Sequence, residues 1–316
     1  MKKKIFRVFL IFGIIIFFSV VFKYKTIASY QYTSMNGQVF KLYPYSGRNI
    51  ALLIPSSNLD QTTIEKIITV FDEAFDYYFY ITKRLPEKLL NYNNLATIAV
   101  VPETCGAGCG YLGATGIEIT EPTFKILYDG VQNYNHYDQV VFYELGRNFW
   151  FYGDKAEYKG LDNTGSITTG YAVFMRFMSI DATKVTPGPF NNNDFPFFRN
   201  EVEGLIKLYL ADSSQNWQNT LRVGRAPQNT LNLGATDLFA SVLFQLKNLY
   251  GEEFLIRLWK ELANRPMAAS TQDAVDNFIV SASLAASENL STLFTQTWRW
   301  PLSKKANDEL ISKLGI

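Results

Sequence analysis

The sequence predicts an α+β fold in which an N-terminal mixed sheet packs on helices and a mainly helical subdomain follows. Three observations carry this expectation. Two apolar runs of strand length, Asn49 to Ile54 and Leu95 to Val101, flank a long segment whose apolar residues recur at helical spacing. A hairpin signal, Asn36-Gly37, lies between two strand-like segments near the start. Beyond residue 197, apolar periodic segments punctuated by Gly251 and Pro266 read as successive helices.

The chain has 316 residues, 47% of them hydrophobic and 16% aromatic, enough to bury a large core. Its 30 basic and 29 acidic residues leave a formal net charge of +1, so no global field draws it to nucleic acid. The start differs in character from the rest. Met1-Lys2-Lys3-Lys4 precedes an apolar run from Val8 to Phe22, which reads as a signal-anchor or a signal peptide over residues 1–29. No clear small-x-small cleavage site follows it. Lys2, Lys3, Lys4 and Arg7 outnumber Lys23 and Lys25, which keeps the N-terminus cytoplasmic and exports the body, anchored to the membrane or secreted if the segment is removed. The expected division is then 30–196 for the α/β part and 197–316 for the helical part.

In the first part, Tyr30 to Met35 and Gln38 to Tyr43 form the hairpin around Asn36-Gly37. Asn49 to Ile54 is a buried strand, and Asp60 caps a helix running to about Lys83. Leu95 to Val101 is another buried strand. Gly110 to Ile119 is a glycine-interrupted extended stretch, whose glycine density suggests an edge or a close backbone approach. The spacing predicts a helix from about His136 to Tyr152 and an apolar one from Thr169 to Ile180, separated by a polar loop. In the second part Thr236 is expected to cap a helix, Gly251 breaks it, and helices follow to Pro266, over Thr271 to Ala286 and over Leu290 to Trp298.

Cys105 and Cys109 are the only cysteines, and in an oxidising compartment their spacing could close a local disulfide. Two thiolates and one distant histidine do not complete a zinc site.

Within the predicted helix at 136–152, Tyr143-Glu144-Leu145-Gly146-Arg147-Asn148-Phe149-Trp150 resembles the zinc-site helix of gluzincin metallopeptidases, the enhancin-like and aminopeptidase-like zincins. In that family His-Glu-x-x-His sets two imidazoles one turn apart, with the glutamate as general base for a zinc-bound water. The element order is similar too, over about residues 30 to 300. The resemblance implies a zincin-like fold, with Gly110 to Ile119 in the place of the substrate-pairing edge strand and Thr169 to Ile180 in the place of the third-ligand helix. It also implies a candidate cleft around Gly110, Tyr111, Gly113 and Tyr171. The motif is degenerate: Tyr143 and Arg147 stand where the histidines belong, and Thr169 to Arg176 supplies no carboxylate. His136 is the sole histidine, so zinc is not expected as a cofactor.

Two readings of Arg147 stay open. Its permanent charge could fill the metal's volume and pair with Glu144 three residues earlier, or the two could be an ordinary helix pair of little weight. The expected function is that of a catalytically inactive, exported metallopeptidase-like protein that binds a peptide, protein or glycan-bearing partner in the former cleft. The alternatives are a hydrolase using Glu144, with Glu118 as the nearest second carboxylate for glycoside chemistry, and a structural envelope protein. Asp154, Glu157 and Asp162 read as a solvated loop, and Trp298-Arg299-Trp300 as a core seal.

Overall fold

Gly37 turns the chain with a φ of +83°, a conformation open to glycine at little cost. Strands β1 (Tyr30–Thr33) and β2 (Val39–Ser46) pair antiparallel across that turn, with Tyr32 opposite Phe40. The computed structural model describes residues 28–315, so the signal-anchor or signal peptide expected over residues 1–29 lies, but for its last two residues, outside the described residues. Among these, no helix is long and apolar enough to cross a membrane.

Five more strands complete the main sheet: β3 (Ile50–Ile54), β4 (Asn91–Tyr92), β5 (Leu95–Val101), β6 (Gly108–Gly110) and β7 (Ile117–Thr120). Their order is β1-β2-β3-β5-β7-β6, with β4 paired to β5; β3, β5 and β7 are parallel and the other pairs antiparallel. The runs in β3 and β5 are unbroken by polar residues at most positions because both faces are covered. Leu52, Ile98 and Ile119 face the main helical core, while Leu53, Ala99 and Val101 join Tyr32 and Leu42 on the other face.

The helix α1 (Gln61–Thr82) begins where the Asp60 carboxylate accepts the Thr63 N–H at 2.8 Å. Its buried Asp72 accepts from the backbone N–H groups of Arg48, Asn49 and Ile50 at 2.6, 2.8 and 2.9 Å, tying the β2–β3 turn to the helix. Next comes α2 (Glu121–Tyr134), a helix the sequence pattern does not announce, since Pro122 and Gly130 interrupt it. The predicted helix over 136–152 is shorter than its periodicity suggests. His136–Tyr137 form β8, Asp138 accepts the Val140 N–H at 2.9 Å, and α3 spans Val140–Asn148.

A single turn, α4 (Gly153–Ala156), leads to α5 (Ser166–Thr183), and β9 (Thr186–Pro187) pairs with β8. The helical part then comprises α6 (Phe195–Ala211), α7 (Ala235–Tyr250), α8 (Glu252–Ala263), α9 (Thr271–Ala286) and α10 (Lys304–Leu314), with a π-type turn at Leu293–Thr297. The cap of α7 is Gly234, not Thr236, which lies inside the helix; the Asp237 side chain accepts the Gly234 N–H at 3.1 Å. The α+β class stands as expected, with the mixed sheet and its helices first and helices only after β9. One continuous apolar core runs from Tyr45 to Leu310, through both halves.

Helix α3 sits at the centre of that core. Tyr78 of α1 donates to the Phe142 carbonyl and shares a hydrogen bond with Ser179 Oγ of α5 at 2.9 Å, so one phenol links three helices.

Candidate functional site

The glycine-rich segment is explained by how closely α3 approaches the sheet. It is not one extended edge: Gly108–Gly110 is the edge strand β6, Tyr111 to Gly116 turns, and Ile117–Thr120 is the inner strand β7. A Cβ on Gly108 would sit 2.6 Å from Val140 Cγ1, and one on Gly110 would sit 2.8 Å from the Glu144 carbonyl oxygen and 3.0 Å from its Oε2. Only glycine lets Glu144 lie against the strand.

Glu144 is 5% exposed, and its Oε2 accepts no hydrogen bond among the described residues. Arg147 Nε lies 3.4 Å from that oxygen, but donates to the Gly110 carbonyl at 3.2 Å. The pair is thus an ion pair without a hydrogen bond. Burial drives the Glu144 carboxyl up to about 7, while Arg147 and the Gly110 backbone pull it back. The carboxyl group does turn toward Arg147, as the reading in which Arg147 pairs with Glu144 requires.

Beside Glu144 opens a cavity of about 420 Å³. Its polar walls include Tyr143, Glu144, Arg176 and Asp237, and its apolar walls include Val173, Phe190, Phe198, Leu231 and Leu233. Arg147 does not line it; the cation that does is Arg176, 3% exposed, on α5. Burial lowers Arg176 to about 10, with Asp237 the first of the groups that hold it up, so the guanidinium stays charged near neutrality. Burial also raises Asp237, and the Gly234 N–H counters it.

The other residues singled out by sequence fall elsewhere. Tyr171 is fully buried, donates to the Phe149 carbonyl at 3.0 Å and packs edge-on against Trp259, so it belongs to the core and not to the cavity. Gly110, Tyr111 and Gly113 contact α3 or its C-terminal end without lining the cavity: Gly113 N–H donates to the Arg147 carbonyl at 3.2 Å, and the Tyr111 carbonyl accepts from Asn148 Nδ2 at 2.9 Å. Cys105 and Cys109 are bonded, with Cα atoms 5.6 Å apart, and the residues between them include Ala107 and Gly108 of the cavity wall. Glu118 accepts from Tyr32 Oη at 2.8 Å and Met35 N–H at 2.7 Å, on the sheet face away from the helices. It is not a partner for Glu144. Glu157 accepts the Gly165 and Thr168 N–H groups at 2.6 and 3.1 Å, and Asp162 pairs with Arg222 at 2.6 Å, so that loop is ordered by its acids. Trp298 and Trp300 are buried.

Sequence reasoning passed over Arg176, Asp237 and Asn148. A signal existed for the first, the lone charge inside the apolar run Thr169 to Ile180. None existed for Asp237, which the tertiary fold alone brings to the cavity. Asn148 Nδ2 bridges the Tyr111 and Gly116 carbonyls at 2.9 and 3.3 Å, closing the loop between β6 and β7 onto α3. Asn148→Ala should therefore cost about 2 kcal/mol in urea unfolding by stranding those acceptors, and an unchanged midpoint would contradict this role.

Comparison of the whole architecture with solved structures places the fold. A functionally unknown conserved protein from Bacillus anthracis str. Ames matches with a TM-score of 0.56 at 13% identity, over 87% of this chain and 52% of that one. The M60 catalytic domain of ZmpC from Clostridium perfringens, solved in complex with the sialyl T antigen, matches with a TM-score of 0.54 at 18% identity, over 89% and 50%. A ZmpB structure from the same organism, holding two CBM32 domains and the M60 catalytic domain, matches at 0.54 and 16%, over 88% and 26%.

The fold is that of the M60 metallopeptidase catalytic domains.

The chain spans about half the length of the M60 ZmpC structure it matches. No protein-family model and no curated protein matches it in sequence. Among the described residues no group of three or more His, Cys, Asp or Glu side chains gathers to hold a metal ion. His136 is exposed on β8 and does not line the cavity. The residues present do not fit zinc.

Proposed function

We infer that the protein is a non-catalytic relative of M60-type peptidases, exported and held at the membrane by its N-terminal segment, which binds a peptide or a glycan-bearing protein in the former cleft. One observation carries this reading: the cavity beside Glu144 persists while the donor set for the metal does not. Tyr143 and Arg147 replace the ligands that would activate water, and the cavity, about 420 Å³, falls within the range of small-ligand sites. The M60-like structures come from ZmpB and ZmpC of Clostridium perfringens, one of them with a glycan bound, which supports an extracytoplasmic setting and a partner of this kind.

A second reading rests on Asp237. It lines the same cavity as Glu144 and supplies the second carboxylate that a metal-free glycoside hydrolase needs. Its oxygen is committed to the Gly234 N–H at the start of α7, which favours a structural role.

The test joins binding to activity. Peptides and glycopeptides should bind the full-length protein in detergent, and Leu231→Trp, which fills the cavity from its rim, should weaken binding at least about tenfold. Purified protein should carry no stoichiometric zinc. It should cleave neither peptides nor glycosides in a manner lost in Glu144→Gln. Zinc at one equivalent, or hydrolysis abolished by Glu144→Gln or Asp237→Asn, would overturn the reading.

A further inference from the structure

Arg176 has no partner that explains it. It is 3% exposed on α5, and among the described residues its Nε has no hydrogen-bond partner and its guanidinium makes no ion pair. A charge buried at that depth is ordinarily paired. The acids nearby are already engaged with backbone donors: Asp237 with the Gly234 N–H at 3.1 Å and Asp138 with the Val140 N–H at 2.9 Å. Glu144 shares the cavity but has Arg147 as its ion-pair partner. What surrounds Arg176 is aromatic. The rings of Phe190, Phe177 and Phe198 stand 4.7, 4.9 and 5.1 Å from its Cζ. Such contacts hold a cation but accept no conventional hydrogen bond, so the guanidinium's donors remain free to meet a ligand in the cavity.

We propose that Arg176 anchors the C-terminal carboxylate of a peptide whose last residue is apolar. The guanidinium fork matches a carboxylate in two parallel hydrogen bonds. Phe190, Phe198, Leu231, Leu233 and Val173 give the wall an apolar character that suits an aliphatic or aromatic side chain better than a hydroxylated ring. Gly108, in the edge strand, lies in the same wall and brings main-chain atoms to the peptide's flank. Near neutrality Arg176 is charged, so the anchor is present under ordinary conditions.

This inference rests on the cavity-binding reading and specifies its ligand. The test uses full-length protein in detergent and calorimetry with pentapeptides ending in Leu or Phe, as free acids and as C-terminal amides, with glucuronic acid as the acidic-sugar probe. Free acids should bind and amidation should weaken binding about tenfold or more, the factor expected of a charge-assisted pair. Arg176→Gln should produce the same loss for the acids and none for the amides. The acid–amide comparison on the unmodified protein needs no variant, so a fold defect in Arg176→Gln cannot obscure it. Equal binding of acid and amide, with both weakened by Leu231→Trp, would overturn the carboxylate anchor and leave the cavity-binding reading standing. Binding of glucuronic acid without binding of peptides would also overturn it. Failure of every peptide and sugar probe would sink both readings.

Discussion

Gly170→Ala is expected to destabilise the protein by about 2 kcal/mol, against the intrinsic preference that makes alanine the better helix residue by about 1 kcal/mol. Gly170 lies where α5 crosses α7. A Cβ there would stand 2.5 Å from the Thr236 carbonyl oxygen and 3.0 Å from Phe239 Cβ. The first contact is with backbone in a helix, which cannot swing aside as a side-chain tip can. The two helices must separate, and with them the Val173–Arg176 wall of the cavity. Gly204 in α6 provides the opposite case, because a Cβ there meets nothing within 4 Å. Gly204→Ala should stabilise by up to about 1 kcal/mol. Urea unfolding of both variants reads the difference directly, and the same sign in both would refute the packing argument.

Glu144→Gln should make the protein more stable at pH 8 and leave it nearly unchanged near pH 4.5. The Glu144 carboxyl titrates at about 7 in the folded protein against an ordinary value of 4.5, chiefly because burial disfavours its charge. Between those values the folded state holds the proton more tightly than the unfolded chain. Stability from this group is therefore complete below pH 4.5 and is lost as pH rises through about 7. That difference corresponds to about 3 kcal/mol at pH 8. Glutamine carries no such penalty. Asp138 and Asp237 are also raised by burial, but they are common to both proteins and cancel in the comparison. Unfolding midpoints at pH 4.5 and pH 8 test this. A variant that is destabilised at both would mean that Glu144 is held charged by Arg147.

The parts of the fold legible in the sequence are those dictated by local chemistry. Asn36-Gly37 must turn, Asp60 can cap, and apolar runs such as Leu95 to Val101 need a cover on both faces. All three appear where expected. Helix α2 escaped because Pro122 and Gly130 hide a fourteen-residue helix whose buried side is only Thr123, Phe124, Leu127 and Val131. The glycines of the stretch Gly110 to Ile119 pointed to close approach, but periodicity does not tell an edge strand from the inner strand that follows a turn. At the site, Glu144 was legible through its motif and Arg147 through its spacing. Arg176 received no role from the sequence, and Tyr171, offered as a cleft candidate though a core place suits a tyrosine among nineteen, is in the core. Which of them faces the cavity depends on how α5 is rotated against α3, where a Cβ on Gly146 would stand 3.3 Å from Ala172 Cα and one on Gly170 would meet α7.

The Cys105–Cys109 bond has its own consequence. A ring of five residues removes little chain freedom from the unfolded state, about 2 kcal/mol on the loop-closure scale and less than a long-range cystine would. Its effect is concentrated on Cys-Gly-Ala-Gly-Cys, a segment with two glycines and no large side chain to hold it. Ala107 is otherwise fixed only through its carbonyl, which accepts from the Thr120 N–H at 3.1 Å and Thr123 Oγ1 at 2.9 Å. Melting curves would register that modest global part, whereas hydrogen exchange at Gly106 to Gly108 would register the local one. One side of the cavity is thus held by a covalent tie as well as by strand pairing and by its close approach to α3.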